Sequence, residues 1–336
     1  MNYTLYLTPF ILAFIASLLL TPIARTIGLK LKAYVKEKRP RDLHQKKISR
    51  LGGVAIFLPL FILSLYYLKF NPQSVGILIS GGLIILIFLW DDFFGMSWKW
   101  KLFWQMAAAI ILIYFFGVKI SYISEPLGIV IYLSGIFSFL FTLLWLVGLM
   151  NVINFLDGLD GLAAGVSAIS FFVLFLISLK MGYPLVAFLS VILLGSVLGF
   201  LPYNFNPAKI FLGDAGAYFL GFSLASLAIL AEGKIATLAL VLGLPILDSL
   251  FVVLNRILQK KSPFLPDSQH LHHRLLELGF SQRQIVFIFY FICSAFGLSA
   301  LVTPGRWKLL AFFVLFLVVF FLVDFLVFLK KKKIIS

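Results

Sequence analysis

Long apolar stretches alternate with short polar connections along the whole chain. An apolar window of about 20 residues is long enough to cross the ~30 Å hydrocarbon core of a bilayer as a helix. About eleven such windows are present, at roughly 3–24, 51–69, 75–91, 102–118, 135–154, 161–180, 184–201, 215–231, 235–256, 284–303 and 308–329. The pattern predicts an all-α polytopic membrane protein in which residues 1–336 form one helical bundle and a single domain.

The connection at 118–134 has a different pattern from the others. The stretches VKISYI and IVIYL, which are rich in β-branched and aromatic residues, flank the turn sequence SEPLG. This arrangement favours a small β-hairpin, which we expect on the outer face of the membrane.

Composition and charge support a membrane location and set an orientation. Hydrophobic residues make up 62% of the chain and charged residues 12%, whereas soluble domains are about 45–50% apolar. The connection 25–50 carries ten of the 28 Lys and Arg residues, so the positive-inside rule places it in the cytoplasm. Alternation from this loop puts 22 of the 28 inside, the amino terminus outside and the KKKK tail inside. We expect these charges to contact anionic lipid headgroups and no nucleic acid.

Amides and acids concentrate in the run 151–165, NVINFLDGLDGLAAG, between two apolar windows. A charged carboxylate costs roughly 2.5–3.5 kcal/mol at the centre of a span, and this run has no Lys or Arg to pair with its acids. A divalent cation, or donors from other helices around a polar cavity, is the expected compensation. Asn151 and Asn154 are three residues apart, as are Asp157 and Asp160, so each pair shares a face if the run is helical.

Two further acidic motifs lie at predicted cytoplasmic ends of spans. Asp91 and Asp92 end the third window. Adjacent helical residues point about 100° apart, so both acids face one cavity only if the helix frays near Gly95; two solvated acids at a helix end are the alternative. Asp214, in FLGDAGA, either caps the eighth helix or adds a carboxylate to an oxygen-rich Mg²⁺ site.

Three of the four histidines cluster beside an arginine in the sequence HLHHRL: His270, His272, His273 and Arg274. Imidazoles and a guanidinium suit the binding of a diphosphate. A zinc site and a solvated basic loop are the alternatives, although neither a nearby cysteine nor an HExxH spacing supports zinc. In the first basic loop, His44 and Lys46 could reach over the same site.

These motifs follow one order along nearly the whole chain: HQKKISRLGG, WDD, NVINFLDGLDGLAAG, FLGDAG, PILD and HLHHRL. With this set of motifs the chain resembles the polyprenyl-phosphate N-acetylhexosamine-1-phosphate transferase superfamily, glycosyltransferase family 4. HLHHR is similar to the bacterial branch that uses UDP-N-acetylglucosamine (UDP-GlcNAc), whereas the branch that uses UDP-MurNAc-pentapeptide resembles HHHFE there. Arg274 and Leu275 depart from HHHFE, and Ala217 stands where the family more often has serine.

The resemblance implies transfer of GlcNAc-1-phosphate from UDP-GlcNAc to undecaprenyl phosphate or another polyprenyl phosphate, with release of UMP. It implies the first lipid-linked step of cell-envelope glycopolymer synthesis, such as lipopolysaccharide or teichoic acid synthesis, at the cytoplasmic face of the bacterial inner membrane. Transfer from another UDP-N-acetylhexosamine or from UDP-MurNAc-pentapeptide is the alternative. A homodimer is one assembly that we consider.

Under this resemblance we expect a division of roles among the candidate residues. Asn154 and Asp214 would hold Mg²⁺, with Mn²⁺ as the alternative ion. Asp91, Asp92 and His272 would be catalytic, with the two acids orienting or deprotonating the acceptor. The remaining candidates would bind the donor and its diphosphate: His44, Lys46, Asn151, Asp157, Asp160, His270, His273 and Arg274.

Two other classes of protein agree less well with the motifs. An ion-coupled transporter tends to place its ionisable residues near the membrane midplane in paired repeats, whereas these motifs collect on one side. A CDP-alcohol phosphotransferase would resemble a DGxxAR pattern, and DGLDGLAAG has no arginine.

Overall fold

The computed structural model describes residues 4–34, 47–124, 130–231, 234–259 and 270–303, and eight positions between 307 and 325. The helices are α1 (Thr4–Lys30), α2 (Gly52–Leu68), α3 (Pro72–Phe94), α4 (Trp98–Phe116), α5 (Gly135–Leu156), α6 (Leu162–Met181), α7 (Pro184–Asn204), α8 (Gly213–Leu230), α9 (Ile235–Val241), α10 (Gly243–Leu258), α11 (Leu271–Glu277) and α12 (Gln282–Val302). The strands β1 (Tyr122–Ser124) and β2 (Val130–Tyr132) pair antiparallel.

The helices follow the predicted apolar windows closely. The first eight windows each coincide with one helix, α1 to α8, and the tenth coincides with α12. Of the described helices, eight are long and apolar enough to cross a membrane, or nine if a bent pair counts as one span. The eleventh window, 308–329, lies mostly outside the described residues. The chain is therefore a multi-pass membrane protein.

The sequence pattern predicted one helix over the ninth window, but the structure has two helices there. Helices α9 and α10 meet at Leu242 with a bend of 81°. Pro245, in the first turn of α10, explains the break, because a proline ring clashes with the carbonyl four residues earlier, here that of Val241. A proline is tolerated in a first turn, so a new helix begins at Gly243 in another direction.

Helix α8 forms the centre of the bundle. It is buried along nearly its whole length and packs against α3, α5 and α2. Small residues permit this close packing. A Cβ atom at Gly53 in α2 would lie 2.5 Å from the Cα and N atoms of Gly216, and one at Gly221 would lie 2.5 Å from the carbonyl oxygen of Leu149. The amino end of α8 is thereby held at a fixed position among its neighbours.

We expect Gly53→Ala to lower the stability of the protein by about 1–3 kcal/mol, the usual cost of overpacking a well-packed interior. The neighbour of the new methyl group is backbone, which cannot rotate away. Gly148→Ala in α5 is the matched control, because no atom lies within 4 Å of a Cβ at that position. Thermal unfolding of the detergent-purified proteins measures the effect, and equal midpoints for the two variants would contradict it.

Candidate active site

The amino end of α8 is capped by an acid from another helix. Asp92 in α3 accepts hydrogen bonds from the backbone N–H groups of Asp214 (3.2 Å) and Ala215 (3.3 Å). Its carboxylate therefore satisfies two of the otherwise unpaired donors at that end. Gly213 precedes them with φ of 76°, and a Cβ there would collide with the carbonyl of Arg50 and with Asp92. The predicted alternative for Asp214, self-capping of α8, is wrong, since Asp92 provides the cap.

Lys101 joins two of the predicted acids. Its Nζ atom lies 2.5 Å from Oδ2 of Asp91 and 2.5 Å from Oδ2 of Asp214. The sequence analysis did not select Lys101, because in the stretch WKWK it looks like one of the interfacial basic residues of α4. Its position ten residues after Asp91 was a signal, since a short α3–α4 turn brings the two helices back together.

Asp91 and Asp92 reach the site without fraying of their helix. Helix α3 continues to Phe94, and both acids are buried within it. Both reach the amino end of α8, where Asp91 pairs with Lys101 and Asp92 caps the helix. The expectation that both acids require a frayed helix end is therefore wrong, and so is the alternative of two solvated acids.

Arg50 is the second cation beside the acids, and an extended segment at 47–51 carries it there. Ser49 in this segment bridges Tyr34 and Ile210, and the carbonyl of Ser49 accepts from the N–H of Phe211. The Nη1 atom of Arg50 then lies 3.5 Å from Oδ1 of Asp92. His44 and Lys46, the predicted substrate residues of the same loop, lie outside the described residues.

The run 151–165 is a helix end, a turn and a new helix. Helix α5 ends at Leu156 and α6 begins at Leu162, so the expectation that Asp157 and Asp160 share a helical face is wrong. Burial raises the pKa of Asp157 well above its ordinary value, and the negative charge of Asp214 raises it further, against an opposing effect of Arg50. The charge of Asp157 thus interacts with those of Asp214 and Asp92 at the amino end of α8. Asn154, in the last turn of α5, is half-buried beside this turn.

Asp160 faces a different set of partners from Asp157. Its Oδ2 atom accepts from Nδ2 of Asn206 (3.1 Å) and from the N–H of Ala208 (3.0 Å). Arg283 at the start of α12 donates to the carbonyl of Asn206, and Tyr290 donates to the carbonyl of Gly161. These contacts tie the turn to the 205–208 loop and to α12, which gives Asp160 an anchoring role not expected from the sequence.

Asn151 pairs with a neighbouring helix. Its Nδ2 atom donates to Oε1 of Gln105 in α4 (2.7 Å) and to the carbonyl of Val147 (2.8 Å). Both amide protons of Asn151 are therefore engaged within the protein, and the sequence analysis had not selected Gln105. The structure gives Asn151 a part in the packing of α4 against α5.

The histidine segment packs against the turn that follows α5. His272 is 1% exposed, and neither of its ring nitrogens has a hydrogen-bond partner in the described part of the chain. A Cβ atom at Gly158 would collide with Nε2 of His272, so only glycine allows this approach. Burial lowers the pKa of His272 well below its ordinary value, and His273 and His270 add to the effect. A neutral, desolvated imidazole with unpaired nitrogens is suited to receiving a ligand.

The other members of the segment are held by helix α10. His270 contacts Asp248, and the guanidinium carbon of Arg274 lies 5.3 Å from the ring centroid of Phe251. The rings of His272 and His273 lie 4.3 Å apart. The structure therefore brings all four predicted residues of HLHHR to one place, beside the turn that carries Asp157.

The acids suit a divalent cation that also binds phosphate. Among the described residues, no three His, Cys, Asp or Glu side chains are grouped closely enough to hold a metal by themselves. The negative charge of Asp214 nevertheless contributes to the raised pKa of Asp157, so the two carboxylates lie within electrostatic range of each other. Mg²⁺ is commonly held by one or two carboxylates together with substrate phosphates, and these two residues fit that arrangement.

Comparison with known proteins identifies the family. A model of glycosyl transferase family 4 matches residues 74–232. A probable undecaprenyl-phosphate N-acetylglucosaminyl 1-phosphate transferase of Bacillus subtilis is 36% identical over 322 residues, which cover 93% of this chain and 89% of the relative. The chain belongs to glycosyl transferase family 4. The family predicted from the motifs is therefore confirmed.

Further family 4 relatives extend the comparison. A decaprenyl-phosphate N-acetylglucosaminephosphotransferase of Mycobacterium leprae is 35% identical, with 75% of this chain and 72% of the relative covered. An undecaprenyl-phosphate alpha-N-acetylglucosaminyl 1-phosphate transferase of Thermotoga maritima is 30% identical, with 77% and 78% covered. The family 4 region at 74–232 contains the acids and Lys101, whereas the histidine segment follows it.

Proposed function

We propose that this family 4 chain transfers GlcNAc-1-phosphate from UDP-GlcNAc to a membrane polyprenyl phosphate such as undecaprenyl phosphate, releasing UMP. One structural observation supports the proposal independently of the names of the relatives. Four acids and two cations meet at the amino end of α8, at one end of an apolar bundle, where the turn beside them contacts a desolvated histidine. This arrangement is suited to bringing two phosphate groups together next to lipid.

The transfer is a displacement at phosphorus. An oxygen of the lipid phosphate forms a bond to the β-phosphorus of the donor, and the bond from that phosphorus to the bridging oxygen breaks, so that UMP leaves. A phosphate monoester has its second pKa near 6 and is largely dianionic at neutral pH, so the acceptor needs little help from a general base. The larger barrier is repulsion between the anions, which electrostatic stabilisation must overcome.

We assign different parts of this electrostatic stabilisation to different residues of the site. Asp157 and Asp214 would hold Mg²⁺, or Mn²⁺ in its place, which when bound neutralises diphosphate charge. Asn154, the other metal ligand predicted from the sequence, lies in the turn of helix before Asp157 and adds an amide oxygen. Lys101 holds the carboxylates of Asp91 and Asp214 next to each other. Asp92 positions α8 rather than accepting a proton, because both oxygens of Asp92 already accept hydrogen bonds from backbone N–H groups.

The histidine segment would bind the diphosphate. His272 offers unpaired ring nitrogens beside Gly158, and His273 and Arg274 extend the same face of the site. His44 and Lys46 would close over the donor from the first basic loop. The histidine segment thus keeps the substrate-binding role predicted from the sequence. Asn151 and Asp160 are not assigned to donor binding, because their side chains form hydrogen bonds within the protein.

A direct assay tests the proposed reaction. Purified protein would be incubated with polyprenyl phosphate, Mg²⁺ and a panel of UDP-sugars, with UMP release and the mass of the lipid product as readouts. UMP release and a lipid-diphosphate-GlcNAc product support the proposal. A lipid product carrying a different N-acetylhexosamine or MurNAc-pentapeptide would correct the donor, and flux across vesicles without UMP release would favour a transporter.

The proposed orientation places the site at the cytoplasmic face of the bacterial inner membrane. The basic loop 25–50 supports it through the positive-inside rule. In this arrangement eleven spans form one transferase domain, the hairpin of β1 and β2 lies outside, and the carboxyl terminus lies inside. Anionic lipids would contact the inner basic residues, and a homodimer is the assembly that we propose to test.

Two cysteine substitutions at opposite ends of α4 test this orientation. Ser97 and Ser121 are both exposed, and the native Cys293 is buried and gives little background. We expect an impermeant maleimide to label Ser121→Cys on intact cells and to label Ser97→Cys only after permeabilisation. The reverse pattern of labelling would invert the proposed topology.

Arg274→Lys is expected to raise the KM for the UDP-sugar by about 5–10-fold with a smaller change in kcat, since lysine cannot make the planar, bidentate contacts of a guanidinium. Steady-state kinetics with varied donor measure this change. Arg283→Lys is the matched control, because Arg283 donates to the backbone carbonyl of Asn206 and has no assigned contact with the donor. A donor KM for Arg274→Lys equal to that of the wild type would remove Arg274 from the donor site.

A further inference from the structure

A buried carboxylate–histidine pair connects the bent helix α10 to the histidine segment. Oδ2 of Asp248 lies 2.8 Å from Nδ1 of His270, and Oδ1 accepts from the N–H of Leu271 at 2.8 Å. Asp248 and His270 are 6% and 7% exposed. The proposed function includes His270 in the histidine segment that binds the diphosphate, but it gives no role to Asp248.

The pair fixes which nitrogen of His270 faces the rest of the site. A carboxylate can only accept hydrogen bonds, so the proton on Nδ1 points to Asp248 and Nε2 is left for other partners. The ring of His270 also contacts the ring of Phe155, with centroids 5.5 Å apart. Asp248 therefore sets both the orientation and the tautomer of this imidazole.

The effect extends from His270 to the turn that carries Asp157. The rings of His270 and His272 are stacked, with centroids 5.6 Å apart and planes 8° apart. His272 in turn lies against Gly158, and no residue that the structure describes forms a hydrogen bond with either of its ring nitrogens. Since none of the described residues forms a hydrogen bond with the ring of His272, the contacts that hold this ring among them are packing contacts with His270 and its neighbours.

We propose that Asp248 is a positioning residue for the transfer reaction, which holds His270 in one tautomer and through it keeps His272 at the diphosphate site. This inference rests on the proposed binding of the donor diphosphate by the histidine segment. Asp248 lies on the carboxyl-terminal side of the 81° bend, so the direction of α10 determines where the histidines stand. The bend therefore contributes to donor binding as well as to the shape of the bundle.

Asp248→Asn separates the positioning role from a merely structural one. Asparagine has the same shape and keeps an oxygen for the N–H of Leu271, but its amide group donates toward Nδ1 and so favours a proton on Nε2 of His270. We expect kcat/KM for UDP-GlcNAc to fall by about 10–100-fold, the range typical for loss of the partner that orients a functional histidine. The acceptor KM and the thermal unfolding midpoint should stay close to those of the wild type. Glu277→Gln, at the exposed end of α11, is the control.

The same substitution in a His270→Gln background completes the test. A glutamine amide can turn to pair with either a carboxylate or an amide, so Asp248→Asn should have no further effect there. An equal loss in both backgrounds would overturn the inference, as would an Asp248→Asn protein with wild-type donor kinetics. Wild-type protein that releases no UMP from any UDP-sugar would instead overturn the proposed function.

Discussion

Asp214→Asn is expected to lower kcat by about 10³-fold and to raise the Mg²⁺ concentration needed for half-maximal rate. The substitution removes an anionic oxygen at the amino end of α8, where Asp214 pairs with Lys101 and its charge interacts with that of Asp157. Loss of a ligand to a catalytic cation removes several kcal/mol of charge stabilisation, and each 1.36 kcal/mol corresponds to a factor of ten in rate. The measurement is the rate of UMP release over a titration of Mg²⁺.

Two other aspartates of the site provide comparisons for this result. Asp157→Asn should show the same shift in Mg²⁺ requirement, because the two carboxylates are proposed to hold one ion. Asp160→Asn should lower stability without shifting the Mg²⁺ requirement, since Asp160 binds Asn206 and Ala208. If active Asp214→Asn protein has an unaltered Mg²⁺ requirement, the metal does not bind Asp214.

Lys101→Met is expected to lower kcat by about 100-fold or more. Methionine matches the unbranched apolar stem of lysine but lacks the terminal ammonium group, whose charge holds Asp91 and Asp214 together. Removing the cation leaves the two carboxylates uncompensated, so they repel each other and leave the positions that they hold in the site. A 100-fold fall in kcat corresponds to roughly 2.7 kcal/mol of activation free energy. Donor and acceptor kinetics on purified protein measure the effect.

Lys99→Met is the matched control for Lys101→Met. Lys99 lies two residues earlier on the same helix, is exposed, and has its Nζ 5.8 Å from the ring centroid of Trp98. Its loss should leave kcat unchanged. A Lys101→Met protein that folds and retains a kcat close to that of Lys99→Met would show that the two carboxylates function without the bridging cation.

The fold was largely predictable because the membrane permits few solutions. A backbone in hydrocarbon must satisfy its own hydrogen bonds, so an apolar window of about 20 residues becomes a helix wherever it occurs. The positions of α1 to α8 and of α12 followed from this rule. The break between α9 and α10 did not, because apolarity extends across it, although Pro245 marked the place.

The candidate site was predictable in its chemistry but only partly in its contacts. Carboxylates near lipid require compensation, which identified Asp157 and Asp160 as site candidates, and the acids at other predicted span ends, Asp91, Asp92 and Asp214, were expected in the same site. Lys101 provides the compensating positive charge for Asp91 and Asp214. In the sequence alone it looks like an interfacial lysine, and its role is visible only when α3, α4 and α8 are packed together. Asp160 has the same sequence context as Asp157, and its different role follows from the loop that packs against it.

The membrane class, the positions of most helices, the family and the residue types of the site could thus be read from the amino-acid sequence, since these depend on local composition and on motifs contiguous in the chain. The tertiary structure decided which acids meet, that Asp92 caps α8, that Lys101 joins Asp91 to Asp214, and that Asp248 holds His270. Those contacts join residues 10 to 123 positions apart, and their geometry depends on helix packing, which no local pattern in the sequence specifies.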